Sequence, residues 1–328
     1  MKTPILIIMF TRYTTLEKVF EQVKKAKPES LYLYQDGPRE DKYDEDMEGI
    51  KRCRKIVSDI DWPCKVVTNY QERNIGCDPG SFYAYKWFFS NVEKGIILED
   101  DAEASESFFK YCEELLDYYE NDKKVYRICG QNIEGKSKTN DSYLFSRKGA
   151  TGSWATWRRV AEMWDESYDF LDDTKLMATL KDKFENDDCF YSWRENALWH
   201  KSTGKAYYET LFYENKLIND MLDVIPACNL VTNIGLTGDA VHNKDAKMMS
   251  RALKKCFDAP RYELVFPLKH PDKIIENMHY TDSVNRIMGW GHPFLRFVRK
   301  WETRLRRFIY GDKTEKKKLL NKIIRFRG

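Results

Sequence analysis

The chain has 328 residues, 33% charged and 42% hydrophobic, which excludes a disordered polymer and leaves room for one large α/β domain with an extension. Its net charge of +3 hides an imbalance: residues 295–328 carry ten positive charges in excess, and the rest of the chain seven negative. No stretch of about 18 apolar residues is present, which excludes a transmembrane helix, and eight cysteines without a CxxC pair exclude a zinc ribbon and fit the reduced thiols of a cytosol.

The opening run PILIIMF at 4–10 is continuously apolar, as a strand buried on both faces requires. It is short and leads into Thr11-Arg12, so no signal peptide is expected. Residues 14–25 place Leu16, Val19, Phe20 and Val23 at helical spacing. SLYLYQ at 30–35 is a second strand and stops at the turn Asp36-Gly37-Pro38. Residues 44–58 predict a helix, 64–68 a third strand and 79–90 an aromatic-rich helix. Ile96-Ile97-Leu98 is a β run that ends abruptly in Glu99-Asp100-Asp101, and 107–119 predicts the next helix. Repeated β-α units imply a parallel sheet covered on both faces. The second half is less regular. Helices are predicted at 154–164 and 207–221, a strand at 223–225, and a glycine-rich segment around Gly238. The composition shifts after residue 260. Phe294, Phe297, Val298, Trp301, Leu305, Phe308 and Ile309 then share one helical face with arginines and a lysine off it, and a second basic amphipathic helix is predicted at 316–326.

The chemistry concentrates at the three acids. A buried strand delivers Glu99, Asp100 and Asp101 to its carboxyl end, where ligands bind in open α/β sheets. Adjacent carboxylates repel unless a cation offsets them, and a hard divalent ion such as Mn²⁺ or Mg²⁺ bridges carboxylates to phosphates. The pattern therefore suggests a nucleotide diphosphate held through a metal. A solvated acidic turn at a helix start would look the same by spacing alone.

The stretch GIILEDDAEASESFFKY at 95–111 resembles the metal-binding segment of GT-A glycosyltransferases, closest to the branch of N-acetylglucosaminyltransferase I and bacterial surface-polysaccharide transferases. The similarity extends over roughly residues 3–243. It includes the first strand and helix with Arg12, the Gln35-Asp36 pair, the Gly-Trp-rich GSWATW at 152–157, and PACNLVTNIGLTGDAVHN at 226–243. The resemblance implies an α/β, Rossmann-like GT-A nucleotide-diphospho-sugar transferase fold with a mixed, mostly parallel central sheet. That domain would cover 1–258, with a nucleotide half at 1–130 and an acceptor half at 131–258. A basic helical extension would follow at 259–328.

By the same resemblance Asp101 would coordinate the metal, Asp100 would hold the ribose or donor sugar, and Glu99 the donor sugar or the site's geometry. Asp36 would read the base and Arg12 support the nucleotide. His242 is a candidate second metal ligand or diphosphate contact, with a surface or core histidine as the alternative. Relatives place their catalytic base as an Asp in a Trp-Asp pair, and the matching position here is Glu209 after Tyr208, with Asp188 and Glu214 as rivals. Gly152 and Trp154 would face the acceptor. The implied activity is an inverting, Mn²⁺- or Mg²⁺-dependent transfer of a sugar from a UDP-sugar to a glycan or lipid-linked glycan, in bacterial surface-polysaccharide synthesis. The enzyme would be cytoplasmic. Its basic tail would either dock on an anionic membrane face or pack on the body with a solvated charged face. Nucleic acid is not an expected partner, because no recognition motif accompanies the charge. Two other readings stay open: a sugar-1-phosphate nucleotidyltransferase, and a nucleotide- or glycan-binding module without a base. The first is disfavoured because Phe10-Thr11-Arg12-Tyr13 lacks the glycines such enzymes carry after their first strand.

Overall fold

A computed structural model describes residues 1–235, 247–312 and 316. The apolar runs become the sheet centre. Strand β1 (Ile5–Met9) pairs in parallel with β2 (Ser30–Gln35) on one side and β4 (Lys94–Glu99) on the other, and β3 (Lys65–Tyr70) extends the edge beyond β2. Between them run α1 (Tyr13–Ala26), α2 (Tyr43–Val57) and α3 (Cys77–Asn91). Helix α1 buries the four predicted residues Leu16, Val19, Phe20 and Val23. Helix α3 covers β2 with rings: Trp87 and Phe88 meet Tyr32 edge-on at 5.6 and 5.1 Å.

After the acids the chain forms the short β5 (Ala102–Ala104), α4 (Glu106–Tyr118) and β6 (Val125–Cys129), then β7 (Tyr143–Ser146) and β8 (Trp154–Trp157). The four-residue α5 (Arg158–Ala161), α6 (Thr174–Lys183), α7 (Asp187–Thr203), α8 (Tyr208–Ile218), β9 (Leu222–Pro226) and β10 (Val231–Asn233) follow. The main sheet runs β3-β2-β1-β4-β8-β6-β9-β7, and β10 pairs with β5 in a separate two-stranded sheet. Strand β8 enters antiparallel between β4 and β6, and β7 closes antiparallel on β9. This is the expected Rossmann-like α/β fold, with a mixed, mostly parallel sheet and a helical C-terminal part.

One expected element is wrong. Residues 154–164 are not one helix: the first four form β8, buried at every position, and only the short α5 follows. Trp154 and Trp157 satisfy a helical period by coincidence, because a strand flanked on both sides is apolar on both faces.

Past residue 258 the chain is stitched to the β7 edge. Lys269 O accepts from Ser142 N at 2.9 Å, and Phe145 O accepts from Asn277 N at 2.8 Å. The helix Met278–Met288 buries Tyr280 and Val284 against Cys129, Leu144 and Ile225. The last described helix, Pro293–Tyr310, follows a turn at Gly289–His292. Among the described residues no helix is long and apolar enough to cross a membrane.

Candidate functional site

Strand β4 carries the acids because its apolar residues pair with β1 up to Ile8↔Glu99, so the chain leaves the sheet at Asp100. Phe10 N, at the matching end of β1, donates to Asp100 Oδ2 at 3.0 Å. Arg12, just before α1, ion-pairs with Asp101 and lies 3.9 Å from Asp100. Asn233 Nδ2 donates to Asp101 Oδ1 at 3.3 Å, and Ile234 N to the Asp101 carbonyl at 2.7 Å. The β10–β5 pairing therefore brings the start of the 226–243 segment against the acids. Sequence reasoning missed Asn233, since nothing in its local pattern marks it. His242 lies outside the described residues.

Three carboxyl groups share one guanidinium here, and the electrostatics show the deficit. Burial first, then Asp101 and Asp100, push the Glu99 carboxyl up to about 8 against the pull of Arg12. Burial and Asp101 also raise Asp100. Carboxylates so crowded fit a hard divalent cation, which binds oxygen and offsets their repulsion. Among the described residues no cluster of three or more His, Cys, Asp and Glu side chains forms a ready-made cage. A metal here would be completed by phosphate oxygens or water.

Asp36 is occupied by its own chain. Its carboxylate accepts from Gly37 N, Asn74 Nδ2, Ile75 N and Gly76 N, all within 2.8–2.9 Å. Gly37 is required beside it, because a Cβ would come within 2.5 Å of the Arg73 backbone. Asp36 thus holds the loop 72–76 over the end of β2. Asp36→Ala is expected to lower stability by about 1–3 kcal/mol through orphaned loop donors, read as a fall in the urea midpoint with unchanged slope.

From Glu99 a cavity of about 580 Å³ opens away from the strand ends. Glu99, Gly152, Asp188, Tyr208 and Glu209 all line it. Glu209 sits in the first turn of α8, where Tyr208 anchors the helix by packing its ring against Tyr85 and Phe212 at 5.4 Å. Glu209 is exposed to solvent on its outer side, and partial loss of surrounding water, then Asp78, raises its carboxyl despite a favourable backbone hydrogen bond. Asp188 is held by Arg296.

Two expected site residues fall elsewhere. Trp154 is fully buried among Tyr85, Trp164 and Phe212, so it cannot be a sugar platform. Glu214 is buried outside the cavity, where Asn215 donates to it at 2.7 Å and burial, then Asp165, lifts its carboxyl to about 8. The rings that line the cavity include Trp193, Tyr213 and Trp290, with His200 stacked on Tyr207. They come from three separate segments, so no local spacing announced them.

The fold and site together define a Rossmann-like α/β protein in which Glu99, at an acidic strand end, borders a cavity lined by polar and aromatic side chains. No family model matches the chain, and no curated protein matches it. Solved structures similar to it include HddC from Yersinia pseudotuberculosis, with 13% identity over 49% of this chain and 79% of that one, at a TM-score of 0.31. The 4-diphosphocytidyl-2C-methyl-D-erythritol synthase of Anaerococcus prevotii DSM 20548 shares 14% identity over 62% and 98%, at 0.31. UDP-glucose pyrophosphorylase complexed with UDP-glucose shares 10% over 67% and 99%, at 0.30.

Proposed function

We propose that the protein is a divalent-metal-dependent transferase that uses a nucleotide-diphosphate sugar, most simply a UDP-sugar, and passes the sugar to a hydroxyl of a glycan acceptor. The observation that carries this reading is the shared cavity. It runs from Glu99, the acid next to Asp100 and Asp101 at the end of β4, to a second carboxyl, Glu209, in the first turn of α8. A donor held beside Glu99 and an acceptor hydroxyl beside Glu209 would then share one cavity.

In this reading Asp101 and Asp100 hold the cation, which when bound offsets negative charge on the departing diphosphate. Arg12 adds a fixed positive charge beside them. Glu209 accepts the proton of the acceptor hydroxyl as that oxygen bonds to the anomeric carbon. The bond from that carbon to phosphate oxygen breaks, and the nucleoside diphosphate leaves with the electron pair. Attack from the side opposite the phosphate inverts the anomeric centre. The aromatic wall at Trp193, Tyr213 and Trp290 suits the apolar faces of sugar rings. A membrane-face role in surface-glycan assembly is part of the proposal.

A second reading is nucleotidyl transfer to a sugar 1-phosphate. Arg147 and Lys148 on the cavity wall favour it, since they would suit a phosphate, whereas Arg127 is buried and held by Asp223. Two features weigh against it. Lys148 is already paired with Glu185 at 2.7 Å, and only Phe10, Thr11 and Arg12 separate β1 from α1, without a glycine to wrap phosphates. Incubation with UDP-sugars plus glycan acceptors, and separately with UTP plus sugar 1-phosphates, separates the two. UDP release that depends on acceptor supports sugar transfer, and pyrophosphate release overturns it.

A further inference from the structure

The Pro293–Tyr310 helix is amphipathic in the opposite sense to a surface helix that packs on a core. Its polar side meets the body: Arg299 donates to the carbonyls of Arg286 and Ile287, Arg296 pairs with Asp188, and Arg306 reaches Lys247 O at 3.4 Å. Glu302, the helix's one acid, also turns inward, accepting from Arg251 N at 3.0 Å and pairing with Arg306 at 3.5 Å. Phe294, Phe297, Trp301, Leu305 and Phe308 face out, with Phe294 76% and Trp301 51% exposed. None of the helix's residues is buried. A contiguous apolar face of this size marks an interaction surface.

Charge identifies the partner. The outward face is bordered by Lys300, Arg304 and Arg307, and Arg304 lies over the Trp301 ring at 5.3 Å. The sequence beyond, 313–328, adds seven Lys and Arg against one Glu. Aromatic and aliphatic side chains flanked by cations, with no outward acid, match an interfacial helix that inserts its rings below anionic headgroups. We infer that this face docks the protein on an anionic lipid surface. Trp290, Gly291 and Arg296, which precede or belong to the helix, also line the cavity. Docking therefore sets the cavity beside the bilayer, where an acceptor carried on a lipid would lie. The docking itself does not depend on which reaction the cavity performs.

The test is vesicle flotation of the full chain, with vesicles of phosphatidylcholine alone and of phosphatidylcholine with phosphatidylglycerol. The wild type should float with the anionic vesicles only, less so at high salt. The variant Phe297→Glu/Trp301→Glu changes two exposed positions, so it should keep its thermal transition while losing at least about tenfold in vesicle affinity. Three results would overturn the inference: a wild type that does not float with either vesicle; a variant that floats as well as the wild type, with binding lost only on removal of 313–328; or a dimer in sedimentation that the variant dissolves, with no lipid binding by either, in which case a second copy covers the face.

Discussion

Glu209→Gln is expected to lower kcat by about 10²–10⁴-fold, the usual contribution of a positioned general base, with nucleotide affinity nearly unchanged. Glutamine keeps the shape and the cavity wall but cannot take the acceptor's proton. The pH profile separates this from a packing effect. Burial raises the Glu209 carboxyl above the ordinary glutamate value, and the ionised form is the base. The wild-type rate should therefore climb with pH through a midpoint above that of a free glutamate, and the variant should lack this rise. Asp188 is the rival on the same wall, but Arg296 holds it. An Asp188 variant that lost as much activity, with Glu209→Gln unaffected, would move the base there.

Asp223→Ala is expected to cost about 3–5 kcal/mol of stability, because it strands two buried cations. Arg127 Nε donates to Asp223 Oδ1 at 3.0 Å and Nη2 to Oδ2 at 3.1 Å, while Lys216 Nζ reaches Oδ2 at 2.5 Å. All three side chains are at most 2% exposed. Burial already pulls the Lys216 ammonium down to about 8, although Asp223 opposes this, so removing the carboxylate leaves its charge with only the Arg147 carbonyl at 2.7 Å and ring faces beside it. Asp223 also accepts from Gly149 N at 3.1 Å, next to the glycine-rich turn on the cavity wall. The loss should thus appear both as a lower denaturant midpoint and as disorder in the turn at Gly149. The exposed pair Lys24–Asp59 is the control, since removing it should leave the midpoint almost unchanged.

The N-terminal half was legible because its strands are plain. β1, β2 and β4 are apolar runs bounded by turns or acids, and the acids announce the carboxyl end of β4. The other half was hidden by its own chemistry. β6 carries Arg127 at its centre, and a charged residue in mid-strand reads as surface until Asp223, far along the chain, is placed beside it. β8 was taken for a helix because burial on both faces removes the alternation that distinguishes a strand. Trp154 was assigned to the acceptor because Gly152 precedes it; Gly152 does line the cavity, but the ring points into the core. In the Pro293–Tyr310 helix the pattern gave the two faces but not their direction. That depended on the carbonyls of Arg286 and Ile287 and on Asp188 being available to its arginines.

Calorimetric titration of UDP, GDP and CDP tests the central claim most directly, with Mn²⁺ and with chelator, into wild type and Asp101→Ala. One nucleotide should bind the wild type only with metal, and Asp101→Ala should bind at least about tenfold more weakly, a loss of about 1.4 kcal/mol or more. No binding of any nucleotide by the wild type in the presence of metal would contradict the account and leave Glu99-Asp100-Asp101 as a buried acidic turn balanced by Arg12.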